Sequence, residues 1–249
     1  MAVARPILGL LALILLAGGI LLQFLVILSG AVGGNPENRI WFLQSTTNGI
    51  TGAPNPARWT FFSVTGVGAD GRNANYGSVK AALPFNPPQN FGTTTGVPQA
   101  FLGTHKYYYL SRFMFAFFLI ALFFAVCALF TGLLALCTRF GSYLSGLNTM
   151  LAFFFQALAA SLMTAWTVLG RNHFNSSGQT ARLGSYAYGF TWAPVLCFLL
   201  STVLYCIGGR AGKDNYSKRS STFGRKRSTR SRGSFIDTES QRRVKDEYE

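Results

Sequence analysis

Acidic side chains are scarce in this chain. Only 8 Asp and Glu stand among 249 residues, and charged residues of both signs make up 12%, where a soluble domain carries about 25%. Upstream of Arg210 the carboxylates are Glu37 and Asp70 alone. So little charge does not cover a water-facing surface, which excludes a soluble globular protein. Histidine is as rare, with His105 and His173 standing apart from other ligand types, so no metal centre is expected. The four cysteines avoid the long polar segments, and no disulfide framework is available there. Paired carboxylates inside an apolar run, a nucleophile beside a base and a phosphate-cradling glycine loop are all missing. Neither an enzyme nor a cofactor is expected.

Long apolar runs are what the chain has instead. Hydrophobic residues reach 49%, and four stretches, residues 6–28, 113–137, 147–169 and 190–207, come close to or exceed the roughly 20 residues a helix needs to cross a hydrocarbon core. The expected fold class is an all-α membrane protein, a four-transmembrane-helix bundle. Pro194, near one end of the fourth run, predicts a kink that neighbouring helices tolerate. Arg5, the first run and Ser29-Gly30-Ala31 also fit a secretory signal with its cleavage site, but the run outlasts the roughly 7 to 15 residues of a signal core and reads as a retained span.

The formal net charge of +14 and the pI near 10.1 do not indicate nucleic acid, because the cations have an address. Nine Lys and Arg with one acid, Asp214, lie between Arg210 and Arg232, directly after the fourth run, and a basic flank marks the cytoplasmic side. The expected organisation is a cytoplasmic N-terminus at 1–5, an outer loop at 29–112, a cytoplasmic turn at 138–146, a second outer loop at 170–189 and a disordered cytoplasmic tail at 208–249. Tyr107, Tyr108, Tyr109, Tyr186, Tyr188 and Trp192 fit an interfacial belt on the outer side.

No Asp, Glu, Lys, Arg or His falls inside the four runs, which speaks against proton-coupled transport. Small residues recur at four-residue spacing at Ala121 and Ala125, Ala128 and Gly132, and Ala157, Ser161 and Ala165, where helix backbones can approach closely. They serve either packing within one bundle or self-association. Gln23 and Gln156 are expected to hydrogen-bond across helices. Cys127 and Cys197 read as small hydrophobes, whereas Cys137 and Cys206, near the cytoplasmic ends, are candidates for palmitoylation.

The long outer loop holds seven of the nine prolines and is poor ground for helices. Arg39-Ile40-Trp41-Phe42-Leu43 and Arg58-Trp59-Thr60-Phe61-Phe62-Ser63-Val64 read as strands, with Asn48-Gly49 as a turn between them. A small extracellular β-sheet is expected there, antiparallel, seated on the bundle with Trp41 and Trp59 turned into it. The run Thr47-Asn48-Gly49-Ile50-Thr51-Gly52-Ala53-Pro54 followed by Arg58-Trp59-Thr60-Phe61, between a first span and three more, resembles the fungal Sur-seven/PalI family of cortical plasma-membrane proteins, which are similar in layout to claudins. The loop residues carrying it are Trp41, Asn48, Gly49, Gly52, Pro54, Arg58 and Trp59. Thr65 stands where such proteins commonly have a cysteine, so a loop disulfide is not implied, and aromatic packing must hold the loop instead.

Asn175-Ser176-Ser177 in the second outer loop is an N-glycosylation sequon. In the tail, Lys218, Arg219, Arg225, Lys226, Arg227, Arg230 and Arg232 are expected to contact anionic inner-leaflet lipids at about 1 kcal/mol each, and three phosphates among Ser220, Ser221, Ser228, Ser231 and Ser234 would cancel most of that attraction. The resemblance implies a structural organiser of an eisosome-type cortical domain that self-associates or binds lipids, sterol and sphingolipid included, with effects on membrane organisation, endocytosis and cell-wall assembly. It names no cortical protein partner. An accessory role in ambient-pH signalling, as its PalI branch implies, and a small pore or transporter are the alternatives.

Overall fold

The computed structural model of the chain describes residues 4–210. The expected lipid-contact and phosphorylation positions of the tail, Lys218 through Ser234, lie outside them. Helix α1 (Ala4–Ile27) is followed by the short α2 (Pro87–Phe91), then α3 (Lys106–Cys137), α4 (Arg139–Ser176) and α5 (Ser185–Arg210). The four long helices are each long and apolar enough to cross a membrane.

Polar side chains stitch these helices into a closed ring. The Gln23 amide of α1 donates to the Phe118 carbonyl of α3 at 2.8 Å, and Ser201 of α5 donates to the Ala12 carbonyl of α1 at 3.1 Å. Gln156 of α4 donates to the Thr191 carbonyl of α5 at 3.0 Å. That carbonyl lies three residues before Pro194, which has no N–H for the α5 ladder, and the helix continues on both sides of the proline. Gln156→Leu is expected to shift stability by less than about 1 kcal/mol in SDS unfolding, because interhelical bonds of this kind average about 0.6 kcal/mol and the unpartnered buried Gln156 Oε1 disappears with the amide. A loss above about 2 kcal/mol would contradict that reading.

The connection between α3 and α4 differs from the nine-residue turn expected at 138–146. Thr138 alone links the two helices: its Oγ accepts from the Gly141 N–H at 3.1 Å and donates to the Leu134 carbonyl at 3.0 Å. Gly141, Ser142 and Ser145 look like loop residues, but they work as close-approach residues. A Cβ on Gly141 would lie 2.6 Å from the Leu134 carbonyl carbon, and Ser142 and Ser145 donate back to the Ala135 and Ala128 carbonyls of α3. The Ala121, Ala125, Ala128 ridge is fully buried in the bundle. The second ridge faces outward, with Ser161 and Ala165 exposed on α4.

At one end of the bundle sits a five-stranded antiparallel sheet of β1 (Leu43–Ser45), β2 (Ala57–Trp59), β3 (Val64–Val67), β4 (Asn73–Ala74) and β5 (Ala181–Leu183), in the order β4-β3-β2-β1-β5. The expected first strand at 39–43 is displaced. Arg39 closes a 3-10 turn, Glu37–Arg39, and pairing starts at Leu43. The expected single strand at 58–64 is a hairpin whose turn is closed by Thr60, which receives the Ser63 N–H on its Oγ and donates that hydroxyl to the Ser63 carbonyl. Strand β5 comes from the second loop, too short at three residues to show a period in the sequence.

The sheet is held to the helices by aromatic rings. Trp59, 2% exposed, lies 5.2 Å from Phe85, 5.6 Å from Phe91 and 5.5 Å from Phe174. Phe85 in turn sits 4.7 Å from Trp166, and Phe61 packs edge-on against Phe115 and Phe118 of α3. This single core runs from the long loop into the bundle. Tyr107, expected in the interfacial belt, belongs to it, 5.8 Å from Phe85, whereas Tyr109, Tyr186 and Trp192 are exposed.

Candidate functional site

The motif residues Thr47 to Pro54 form a clasp that joins the two loops. Thr47 donates its hydroxyl to the Pro54 carbonyl at 2.7 Å and its N–H to Asn55 Oδ1 at 3.1 Å, which closes the turn on itself. Asn48 lies exposed at its tip. Its Oδ1 accepts from Asn55 at 2.7 Å, its N–H donates to Gln179 Oε1 at 3.2 Å, and its carbonyl accepts from Gln179 Nε2 at 2.8 Å. Gly49 and Gly52 carry φ of 79° and 80°, the left-handed region where a Cβ is penalised. Thr46 completes the joint, donating to Gln179 Oε1 at 3.0 Å and accepting the Thr180 N–H at 2.8 Å. These residue types at this spacing build a turn and a seam, with no chemistry required of them.

Arg58 and Trp41 form a second cluster, on the sheet face opposite Trp59. Arg58 is 7% exposed, although no carboxylate pairs with it among the described residues. Its charge is met by neutral acceptors: Nε donates to Gln44 Oε1 at 2.8 Å, and Nη1 donates to the Gly71 carbonyl at 3.0 Å and to Asn73 Oδ1 at 3.1 Å. The guanidinium carbon lies 4.8 Å from the Trp41 ring centre, a cation–π geometry. Burial pulls the guanidinium below its ordinary pKa. Trp41 was expected inside the sheet. It precedes β1, outside the alternation of the strand, and is half-buried with its ring over Arg58, whereas Phe42 and Leu43 are buried in the core.

The remaining expected positions are scattered. Asn175 is exposed and its Oδ1 accepts the Ala181 N–H at 2.7 Å, which caps the start of β5 and leaves the amide nitrogen outside that bond. Cys206 is exposed on α5, Cys137 is the last residue of α3, and Cys127, Cys197 and Cys206 are free thiols. Thr65, which takes the place of the cysteine in the resemblance, is buried with no partner for its hydroxyl. Ser29 and Gly30, read as a possible cleavage site, are built into the loop: Ser29 Oγ accepts the Phe61 N–H, and the Gly30 carbonyl accepts the Ser63 hydroxyl. Sequence reasoning missed Gln179, Asn73 and Asn90, whose roles depend on partners far along the chain. Trp59, for one, donates to Asn90 Oδ1 at 3.1 Å.

A first span, an aromatic-cored sheet clasped at Thr47 to Pro54 and three further spans are thus one continuous unit, and over residues 8–204 the sequence matches the profile of the SUR7/PalI family. The chain belongs to the SUR7/PalI family. It is 40% identical over 194 residues to SUR7 family protein FMP45 of Saccharomyces cerevisiae, a match covering 77% of this chain and 62% of FMP45. It is 38% identical over 198 residues to Protein SUR7 of Candida albicans, covering 79% of this chain and 72% of that protein. A plasma membrane protein of Saccharomyces cerevisiae, YNL194C, itself uncharacterized, is 34% identical over 196 residues, 77% of this chain and 64% of YNL194C. The SUR7/PalI match covers the bundle and the sheet and stops before the basic tail.

Proposed function

We propose that this SUR7/PalI protein is a structural organiser of a plasma-membrane cortical domain of the eisosome type, with the sheet outside the cell and both termini in the cytoplasm. The observation that carries it is a bundle whose interior is committed to packing. The buried amides Gln23 and Gln156 donate to backbone carbonyls of neighbouring helices, and no Asp, Glu, Lys, Arg or His lies within 113–137, 147–169 or 190–207, so the spans supply helix contacts where a transporter would need ionisable relays. The name of YNL194C supports the plasma membrane. The positive flank after α5 supports the orientation.

Self-association is proposed through the outward ridge of Ala157, Ser161 and Ala165, since small residues at that spacing allow close helix approach between copies. The tail would add attraction to anionic inner-leaflet lipids through its Lys and Arg. Imaging of a tagged full-length protein in living cells tests the reading. Stable, immobile cortical patches are expected, with patch residence shortened when Lys218, Arg219, Arg225, Lys226, Arg227, Arg230 and Arg232 are changed to Gln. A diffuse or endosomal signal for the parent chain would overturn it.

A further inference from the structure

The buried Arg58 lines a concavity of about 400 Å³ on the outer face of the sheet, within the range of ligand pockets, together with Arg39, Trp41, Arg72, Ser185 and Tyr186. Nε and Nη1 of Arg58 are engaged by the sheet, and among the described residues no acceptor is bonded to Nη2. The Arg58 side chain is thus more than nine-tenths buried, with one donor edge left facing the cavity, where it can meet water or a bound acceptor. Three guanidiniums line the site against one carboxylate, Asp70, and that carboxylate is taken by Arg72, 3.6 Å from its Nε. Ser185 and Tyr186 open α5, so the cavity also receives the positive end of a 26-residue helix with its unpaired first-turn N–H groups.

The place of the cavity along the bundle says what the anion is attached to. A helix of 26 residues is about 39 Å long, several ångströms beyond a hydrocarbon core of about 30 Å, so its first turn stands in the headgroup layer. Tyr186 and Trp192 on that part of α5 are 49% and 41% exposed, as expected of side chains at the interface. A cavity this size exceeds one phosphate. Ser185 adds a hydroxyl suited to alcohol groups beside it, and Arg forks match phosphate oxygens.

We propose that this concavity binds the phosphodiester headgroup of a lipid in the leaflet on the sheet side, with Arg39, Arg58 and Arg72 on the phosphate and a hydroxyl-bearing headgroup against Trp41 and Ser185. The site is separate from the basic tail and independent of the cortical-organiser reading.

Full-length protein in detergent micelles, titrated with dihexanoyl phosphatidylinositol and followed by calorimetry, tests it. Saturable binding is expected, weakened tenfold or more by Arg39→Gln with Arg72→Gln. Arg39 is exposed and Arg72 half-exposed, and an unchanged unfolding temperature confirms that this pair is folded. Lys80→Gln with Arg112→Gln, in a separate groove, is expected to leave binding within twofold. The proposal fails if dihexanoylglycerol binds equally well, if the Arg39 and Arg72 pair changes nothing, or if the Lys80 and Arg112 pair weakens binding as much. Equal affinity for inositol phosphate or inorganic phosphate would overturn the lipid assignment in favour of a free anion.

Discussion

Trp59→Ala is expected to destabilise the protein by about 3–5 kcal/mol, the range for removing a buried Trp or Phe from a core. The ring is 2% exposed and touches Phe85, Phe91 and Phe174, which belong to three different segments of the loops and of α4. Truncation opens a cavity where sheet and bundle meet and leaves Asn90 without its indole donor. Because no disulfide closes the loop among the described residues, nothing covalent compensates for the lost contacts. Thermal or SDS unfolding of the purified protein measures the effect, with Trp192→Ala as control. Trp192 is 41% exposed on α5, and its truncation should cost well under 1 kcal/mol. Equal effects of the two substitutions would refute the view that aromatic packing holds the sheet on the bundle.

Gly184→Ala should cost about 3 kcal/mol, the upper range for overpacking. Gly184 sits between β5 and α5, donates its N–H to the Phe42 carbonyl at 3.1 Å and accepts the Tyr188 N–H at 3.1 Å. A Cβ there would overlap the Trp41 carbonyl oxygen and lie 2.8 Å from its carbon. Backbone cannot rotate out of the way as a flexible side chain does, so β5 must separate from β1 or the first turn of α5 must move. Hydrogen exchange at Ala181–Leu183 should accelerate together with the loss of stability. Gly189→Ala, five residues on, is expected to go the other way. Nothing lies within 4 Å of its Cβ position, and alanine is favoured over glycine in a helix by up to about 1 kcal/mol.

The spans were legible because each is a long uninterrupted apolar run, and a run of that kind has one solution in a bilayer. Their ends were not. Residues 106–112 look interfacial, yet Tyr107 and Ser111 are buried against the loop, and that contact extends α3 outward. Gly141 and Ser145 carry turn chemistry by composition, but their smallness serves a backbone crossing that is visible only with α3 in place. In the loop, aromatic and β-branched content showed that strands exist between residues 39 and 64. The hairpin at Thr60 and the displaced start at Leu43 depend on hydrogen bonds to Ser63 and to β5, which no local window contains. The motif at Thr47 to Pro54 could be read as a turn from its glycines, while its partner Gln179 gave no signal. Arg58 was singled out by the resemblance alone. Its meaning lies in the cavity it borders, formed from residues drawn from four separate stretches of the chain.

The pairing of β1 with β5 also sets an order of events during synthesis. The centre of the sheet is translated soon after the first span, but its edge partner and the Gln179 seam follow α4, and α5 must then insert to hold that edge against Trp41. Until the last span is in the bilayer, the sheet has an open strand edge and an uncovered aromatic face. Chaperones and quality-control proteases on the side of the sheet therefore have a window in which to bind this protein, and it closes only when the fourth helix enters.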